Sequence, residues 1–235
     1  MDSLIIEKVD LNQNIEVIYE DNHLLVLNKP SGVLSQKDIT GDDSIIEWGK
    51  KYLKHKYNKP GNVFLGLAHR LDRPVSGSII LCRTSKSLSR MTKLIKNREL
   101  TKKYYALVGQ KPAIKSQTLT SFIKKSPKSN KVVISSKPFE DAKKSILSYT
   151  VVKSINGCTL LDIELATGRK HQIRSQLLQI NSPILGDLKY GYDKPLPDKS
   201  IALHSYQVQF IHPVNKEELT IIAPWPDKKW WNSFK

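Results

Sequence analysis

His69-Arg70-Leu71-Asp72-Arg73-Pro74-Val75-Ser76-Gly77 stands between two apolar runs, 63–68 (VFLGLA) and 78–83 (SIILCR). Both runs read as strands, so the segment between them is a loop at a sheet end, where functional side chains are commonly displayed. Pro74 and Gly77 shape that loop into a tight turn. Asp72 lies between Arg70 and Arg73, a setting that suits a carboxylate. On these residues alone, an aspartate that caps the turn or pairs locally is the simpler reading.

Working outward, the chain reads as strands with a few helices. Residues 15–19 (IEVIY) and 24–28 (LLVLN) flank the polar EDNH and predict a hairpin, followed by a loop at KPSGVLSQ. The spacing predicts a helix over 44–57 with Ser44 as N-cap. A second helix runs from Ser85 to about Asn97, with Leu88, Met91, Leu94 and Ile95 inward. Strands follow at 101–109, 145–155 and 158–167, then a helix over 171–180 and a closing hairpin from 201–212 and 219–223. Residues 110–144, rich in lysine and poor in large apolar side chains, read as a mobile excursion. The class is α+β: a mixed, largely antiparallel central sheet with flanking helices. Residues 1–14 are an N-terminal extension and 15–235 a single domain.

The composition narrows the function. Among 235 residues, 38 Lys+Arg face 22 Asp+Glu, a formal net charge of +16, and 39% of residues are apolar. That apolar share suffices for a core. No apolar run approaches the ~18–20 residues of a membrane span, and the acidic N-terminus does not look like a signal peptide. A cytoplasmic protein with no membrane partner is expected. Cys82 and Cys158 are too few for a disulfide framework and read as buried strand thiols. The six histidines show no metal-ligand spacing, so no metal is expected. GxxxxGK[ST], GxGxxG and GxSxG are absent. Cations cluster in 50–59, 83–103, 124–131 and 137–144, which points to a polyanionic partner. Solubility alone also explains lysine-rich surfaces.

A second segment, Thr167-Gly168-Arg169-Lys170-His171-Gln172-Ile173-Arg174, joins a strand end to a helix start. Helix N-termini prefer anions, so cations gathered there suit an anion that comes to them, a phosphate or an active-site carboxylate. Together the two segments resemble the RluA family of RNA pseudouridine synthases. The likeness spans about 15–226 and includes Asn28-Lys29-Pro30-Ser31-Gly32, HRLDRPVSG, KKYYALV, TGRKHQIR, Pro183-Ile184-Leu185-Gly186-Asp187 and Tyr190-Gly191.

The resemblance implies a cofactor-free isomerase acting on structured RNA, rRNA or tRNA, by base flipping. It implies Asp72 as the catalytic aspartate, Tyr104 as the tyrosine stacked on the target base (Tyr105 if the register slips by one) and Arg174 as the aspartate's partner. Arg70 would occupy the space of the flipped base. Arg169 and Lys170 would contact backbone phosphates, with Arg73 and His171 also on the RNA side. Val75 and Gln176 depart from the family's frequent threonine and histidine, which bears on subgroup and substrate. No S4-type domain fits before residue 15. A monomer is expected. The alternative is a catalytically silent RNA-binding protein or RNA chaperone with the same basic cleft; a ribosome-associated basic protein explains the charge but not the two motifs. Trp225 and Trp230-Trp231 read as tail anchors, and His204 and His212 as structural.

Overall fold

The computed structural model describes residues 15–39 and 41–235; the extension expected over 1–14 lies outside the described residues. In chain order the elements are β1 (Glu16–Glu20), β2 (Leu24–Lys29), α1 (Ile45–Lys56), β3 (Gly66–Leu67), β4 (Ser76–Cys82) and α2 (Ser85–Lys96). Then come β5 (Thr101–Val108), β6 (Ser116–Lys125), β7 (Val132–Ser135), β8 (Lys143–Ile155), β9 (Cys158–Leu165) and α3 (Gln172–Gln179). A 3₁₀ turn (Leu188–Tyr190), β10 (Leu203–Ile211), β11 (Glu218–Ile222) and α4 (Lys229–Asn232) complete the chain.

The strands form one sheet in the order β1-β2-β4-β10-β5-β9-β8-β6-β7, with β3 on β4 and β11 on β10. Among the described residues the strand pairs are antiparallel except β4 with β10, which run parallel where His204 and Ser205 meet Ser76 and Gly77. The mixed, largely antiparallel sheet expected from the sequence is the one found. That parallel contact needs a glycine. Gly77 has φ +114°, and a Cβ there would stand 2.3 Å from the Ser205 carbonyl oxygen. Only a residue without a side chain lets the two backbones approach so closely.

Strand alternation sorts the core onto two faces. Leu25, Leu27, Ile79 and Leu81 join the main cluster with Ile45 and Leu53 of α1. Their neighbours Leu24, Val26, Ile80 and Cys82 turn the other way and pack with Met91 of α2 and Val208 of β10. The Ser78 and Ser205 hydroxyls meet at 3.2 Å on that second face. Tyr104, opposite Ser205 in register, packs in the main cluster with Leu71, Val75 and Ile173. α3 covers the far half of the sheet and buries Ile173 and Leu177.

Several local expectations need correction. The 63–68 run is a strand only at Gly66–Leu67; Val63 and Leu65 pack on the core from a loop. Thr84, not Ser85, caps α2: its hydroxyl accepts the Ser87 N–H at 3.0 Å and Ser87 answers in a capping box. The 110–144 excursion contains the strands β6 and β7. Leu119, Ser121 and Ile123 alternate inward while Thr118 and Thr120 face water, so one face alone carries the burial. Cys158 is half-buried rather than buried, whereas Cys82 is buried. The tail is an anchor as expected: Trp231 is buried, stands edge-on to Trp225 and receives its indole N–H at 3.1 Å.

Candidate active site

Asp72 owes its position to a brace from the loop after β2. Ser35 Oγ donates to the Leu71 carbonyl at 2.6 Å and accepts the Leu71 N–H at 3.1 Å, while the Gly32 N–H donates to the Arg73 carbonyl at 2.8 Å. The Lys29 ammonium is completely buried and donates to the carbonyls of Pro30 at 2.9 Å, Val33 at 2.8 Å and Arg73 at 3.3 Å. Burial pushes its pKa down to about 7, with the Asp72 charge opposing the fall. The Val75 N–H closes the turn on the Asp72 carbonyl at 3.0 Å.

The second half of the site comes from α3 and the turn after it. Gln172 pins the basic segment: its side-chain oxygen accepts the Arg169 N–H and the Thr167 hydroxyl, both at 2.9 Å, and its amide donates to the Ile146 carbonyl at 3.0 Å. The helix starts at His171, which adopts a left-handed conformation (φ 51°) and makes no side-chain cap. This kink brings Arg174 back over the sheet end. Its NH1 donates to Asp72 Oδ2 at 3.0 Å. Nε and NH2 donate to the two oxygens of Asp187, each at 2.7 Å. The Tyr190 ring lies under the guanidinium, 4.9 Å from centroid to Cζ. Burial works against the Arg174 cation, but the hydrogen bonds and charge of Asp187, with those of Asp72, more than offset it and its pKa is raised.

His171 closes the group. Its Nδ1 is 2.7 Å from the Tyr190 hydroxyl, which also accepts the Val132 N–H at 3.1 Å. Its Nε2 lies 3.6 Å from Asp72 Oδ2. A proton on Nε2 faces the carboxylate, whereas the other tautomer would set a lone pair against it. Burial lowers the His171 pKa to about 4, with the Asp72 charge pulling the other way, so the ring is neutral at pH 7.

Arg70, Asp72, Tyr104, Arg169, His171 and Arg174 line one pocket, together with Val75, Leu165 and Leu203. Tyr104 is buried, and burial pushes its phenol up to about 12. Tyr105 is absent from the pocket lining; it stacks on Tyr206 at 3.9 Å and packs against Trp225. Tyr104 is thus the tyrosine beside Asp72. Lys170 stands at the rim, hydrogen-bonded to Asn130 Oδ1. Arg73 turns outward, pairing with Asp42 at 2.8 Å and donating to the Gly32 carbonyl at 2.9 Å. It faces a separate, larger hollow of about 620 Å³ that holds none of the other expected residues. His171 is walled into the site rather than displayed outward. Asp187, Tyr190 and Lys29 sit inside motifs quoted above, but the sequence assigned them no role. For Lys29 the signal was a lysine ending the apolar run LLVLN.

The family model for RNA pseudouridylate synthase matches residues 23–179. The chain belongs to the RluA-type RNA pseudouridine synthases. It is 33% identical over 232 residues to the ribosomal large subunit pseudouridine synthase C of Buchnera aphidicola subsp. Baizongia pistaciae, covering 93% of this chain and 71% of that one. It is 32% identical to the ribosomal large subunit pseudouridine synthase D of Borreliella burgdorferi, covering 84% and 61%. The human RNA pseudouridylate synthase domain containing 4 structure superposes with a TM-score of 0.73 at 23% identity, over 90% of this chain and 88% of that one, and shares the fold. The synthase is therefore an isomerase acting on RNA. Among the described residues no helix is long and apolar enough to cross a membrane, and no group of ligands could hold a metal ion.

Proposed function

We propose that the synthase isomerises uridines of large-subunit ribosomal RNA, with Asp72 as the reacting carboxylate and the target base flipped into the pocket beside Tyr104. The observation that carries this reading is the Asp72–Arg174–Asp187 chain, which holds one carboxylate in the wall of a pocket that Tyr104 also lines. The rRNA target rests on relatives whose names state it.

The reaction breaks the N1–C1′ bond of uridine, turns the uracil and joins C5 to C1′; C5 loses a proton and N1 gains one. Nothing is oxidised and no atom comes from a cosubstrate, so the balance closes without a cofactor. Glycoside hydrolases use two carboxylates, one to protonate a poor leaving group. Uracil departs as a delocalised anion, and one carboxylate suffices. Asp72 keeps that role because Arg174 spends two of its three nitrogens on Asp187 and turns the third to Asp72. Flipping costs a few kcal/mol, and stacking on Tyr104 returns about 1–3 kcal/mol. Arg70, at the pocket rim, fills the space left in the RNA; Arg169 and Lys170 meet phosphates.

The test is pseudouridine mapping of unmodified large-subunit rRNA incubated with purified protein. Wild type should convert discrete uridines, and Asp72→Asn should retain RNA binding with turnover lowered by about 10⁴-fold or more, the scale seen when a catalytic group is removed. Equal conversion by both proteins would defeat the assignment of Asp72.

A further inference from the structure

One cation next to the pocket has no part in the machinery above. Lys102 lies on β5 two residues before Tyr104, so its side chain leaves the sheet on the same face. In register it meets Val208, which belongs to the α2-side cluster. Gly168, at the start of the basic segment leading to α3, stands on its other side: a Cβ there would be 2.9 Å from Lys102 Nζ. His69, whose Nε2 accepts the Ile80 N–H at 3.2 Å, is close enough for the Lys102 charge to help depress its pKa. The ammonium therefore sits beside the pocket, against the chain neighbours of its lining residues Arg70 and Arg169 and on the same strand face as Tyr104.

Its environment is costly. Among the described residues the Lys102 ammonium forms no hydrogen bond and no ion pair. Burial lowers its pKa, and no carboxylate opposes the shift. Its neighbour Lys103 has Glu164 at 3.9 Å, and Arg174 has two carboxylates. A half-buried cation without an anion destabilises the fold, and nothing intramolecular offsets that here. The ammonium lies so close to the Gly168 backbone that a Cβ there would displace it.

We propose that Lys102 receives a phosphate oxygen of the RNA strand that carries the target uridine, supplying in the complex the anion that the free protein lacks. This rests on the RNA-modifying reading above and assigns a phosphodiester contact beside the pocket, distinct from those of Arg169 and Lys170.

The experiment is a salt titration of binding to a short oligouridylate by wild type, Lys102→Met and a control, Lys216→Met on the exposed turn between β10 and β11. Thermal melting is followed in parallel. Removing one phosphate contact from a single strand should reduce the slope of log K against log salt by about 0.7. At low salt binding should weaken by about tenfold, as for loss of a charged hydrogen bond. Lys102→Met should melt at the same temperature as wild type or higher, because a desolvated charge has been removed. Lys216→Met should leave the slope unchanged. An unaltered slope in Lys102→Met, or a lowered melting temperature with an unaltered slope, would overturn the proposal. Conversion of large-subunit rRNA by wild type is assayed separately. If wild type converts it while the Lys102→Met slope is unaltered, the lysine assignment alone fails. If wild type does not convert it, the rRNA reading fails and the slope still decides the lysine.

Discussion

Arg174 and Arg73 both reach the few residues around Asp72, yet their surroundings differ in kind. The Arg174 side chain is 6% exposed and its partner Asp187 1%, whereas Arg73 and Asp42 are each 48% exposed. The first group is ordered by three charge-assisted hydrogen bonds and a ring beneath it. The second is a solvent-screened pair with one backbone contact. Two arginines, each in a basic motif, thus differ because one is desolvated, and desolvation is what makes orientation expensive to lose.

The largest effect should come from Arg174→Met. It leaves Asp187 buried without a counter-charge, and urea unfolding should show about 3–5 kcal/mol lost, with turnover abolished. Asp187→Asn keeps the volume and removes one anion; the guanidinium loses its fixed orientation. Unfolding should lose about 1–3 kcal/mol, and kcat should fall more than KM rises, because Asp72 rather than RNA contact is disturbed.

Acid should next act on the buried imidazoles. Burial holds His171 and His204 at about 4 in the folded protein, against about 6.5 in an unfolded chain. The unfolded state therefore binds more protons between those values, so stability is full above about pH 6.5 and is lost as pH falls toward 4. Urea midpoints measured across that window should drop, and less steeply in His204→Asn. The smallest effect belongs to Arg73→Ala, about 0–1 kcal/mol. If Arg73→Ala destabilised as much as Arg174→Met, burial would not be the difference between the two pairs.

Much of this was legible beforehand because motifs are local. The HRLDRPVSG turn, the strand bearing Tyr104 and the helix bearing Arg174 each announce themselves within a few residues. Tyr104 and Tyr105 are separated by strand alternation only once the register with Ser205 is known. Asp187 could not be read as Arg174's anchor, because nothing in either segment shows that both converge on one guanidinium. β6 carries a serine, Ser121, at an inward position between Leu119 and Ile123, which interrupts its apolar alternation, and the four-residue β7 exposes Val133, so neither shows a clean strand period. The start of α3 carries no cap that a sequence rule would recognise; a histidine with positive φ does the work.

The order of the sheet has a consequence for how the enzyme is born. β4 and β5 are successive strands in sequence, yet β10 lies between them. Asp72 and Arg174, whose side chains must meet, belong to opposite sides of that seam. As the polypeptide leaves the ribosome, the seam stays open until residues 203–211 have emerged. A chain cut short before β10 therefore leaves the two halves of the sheet unjoined, and the meeting of Asp72 with Arg174 loses the strand that aligns them.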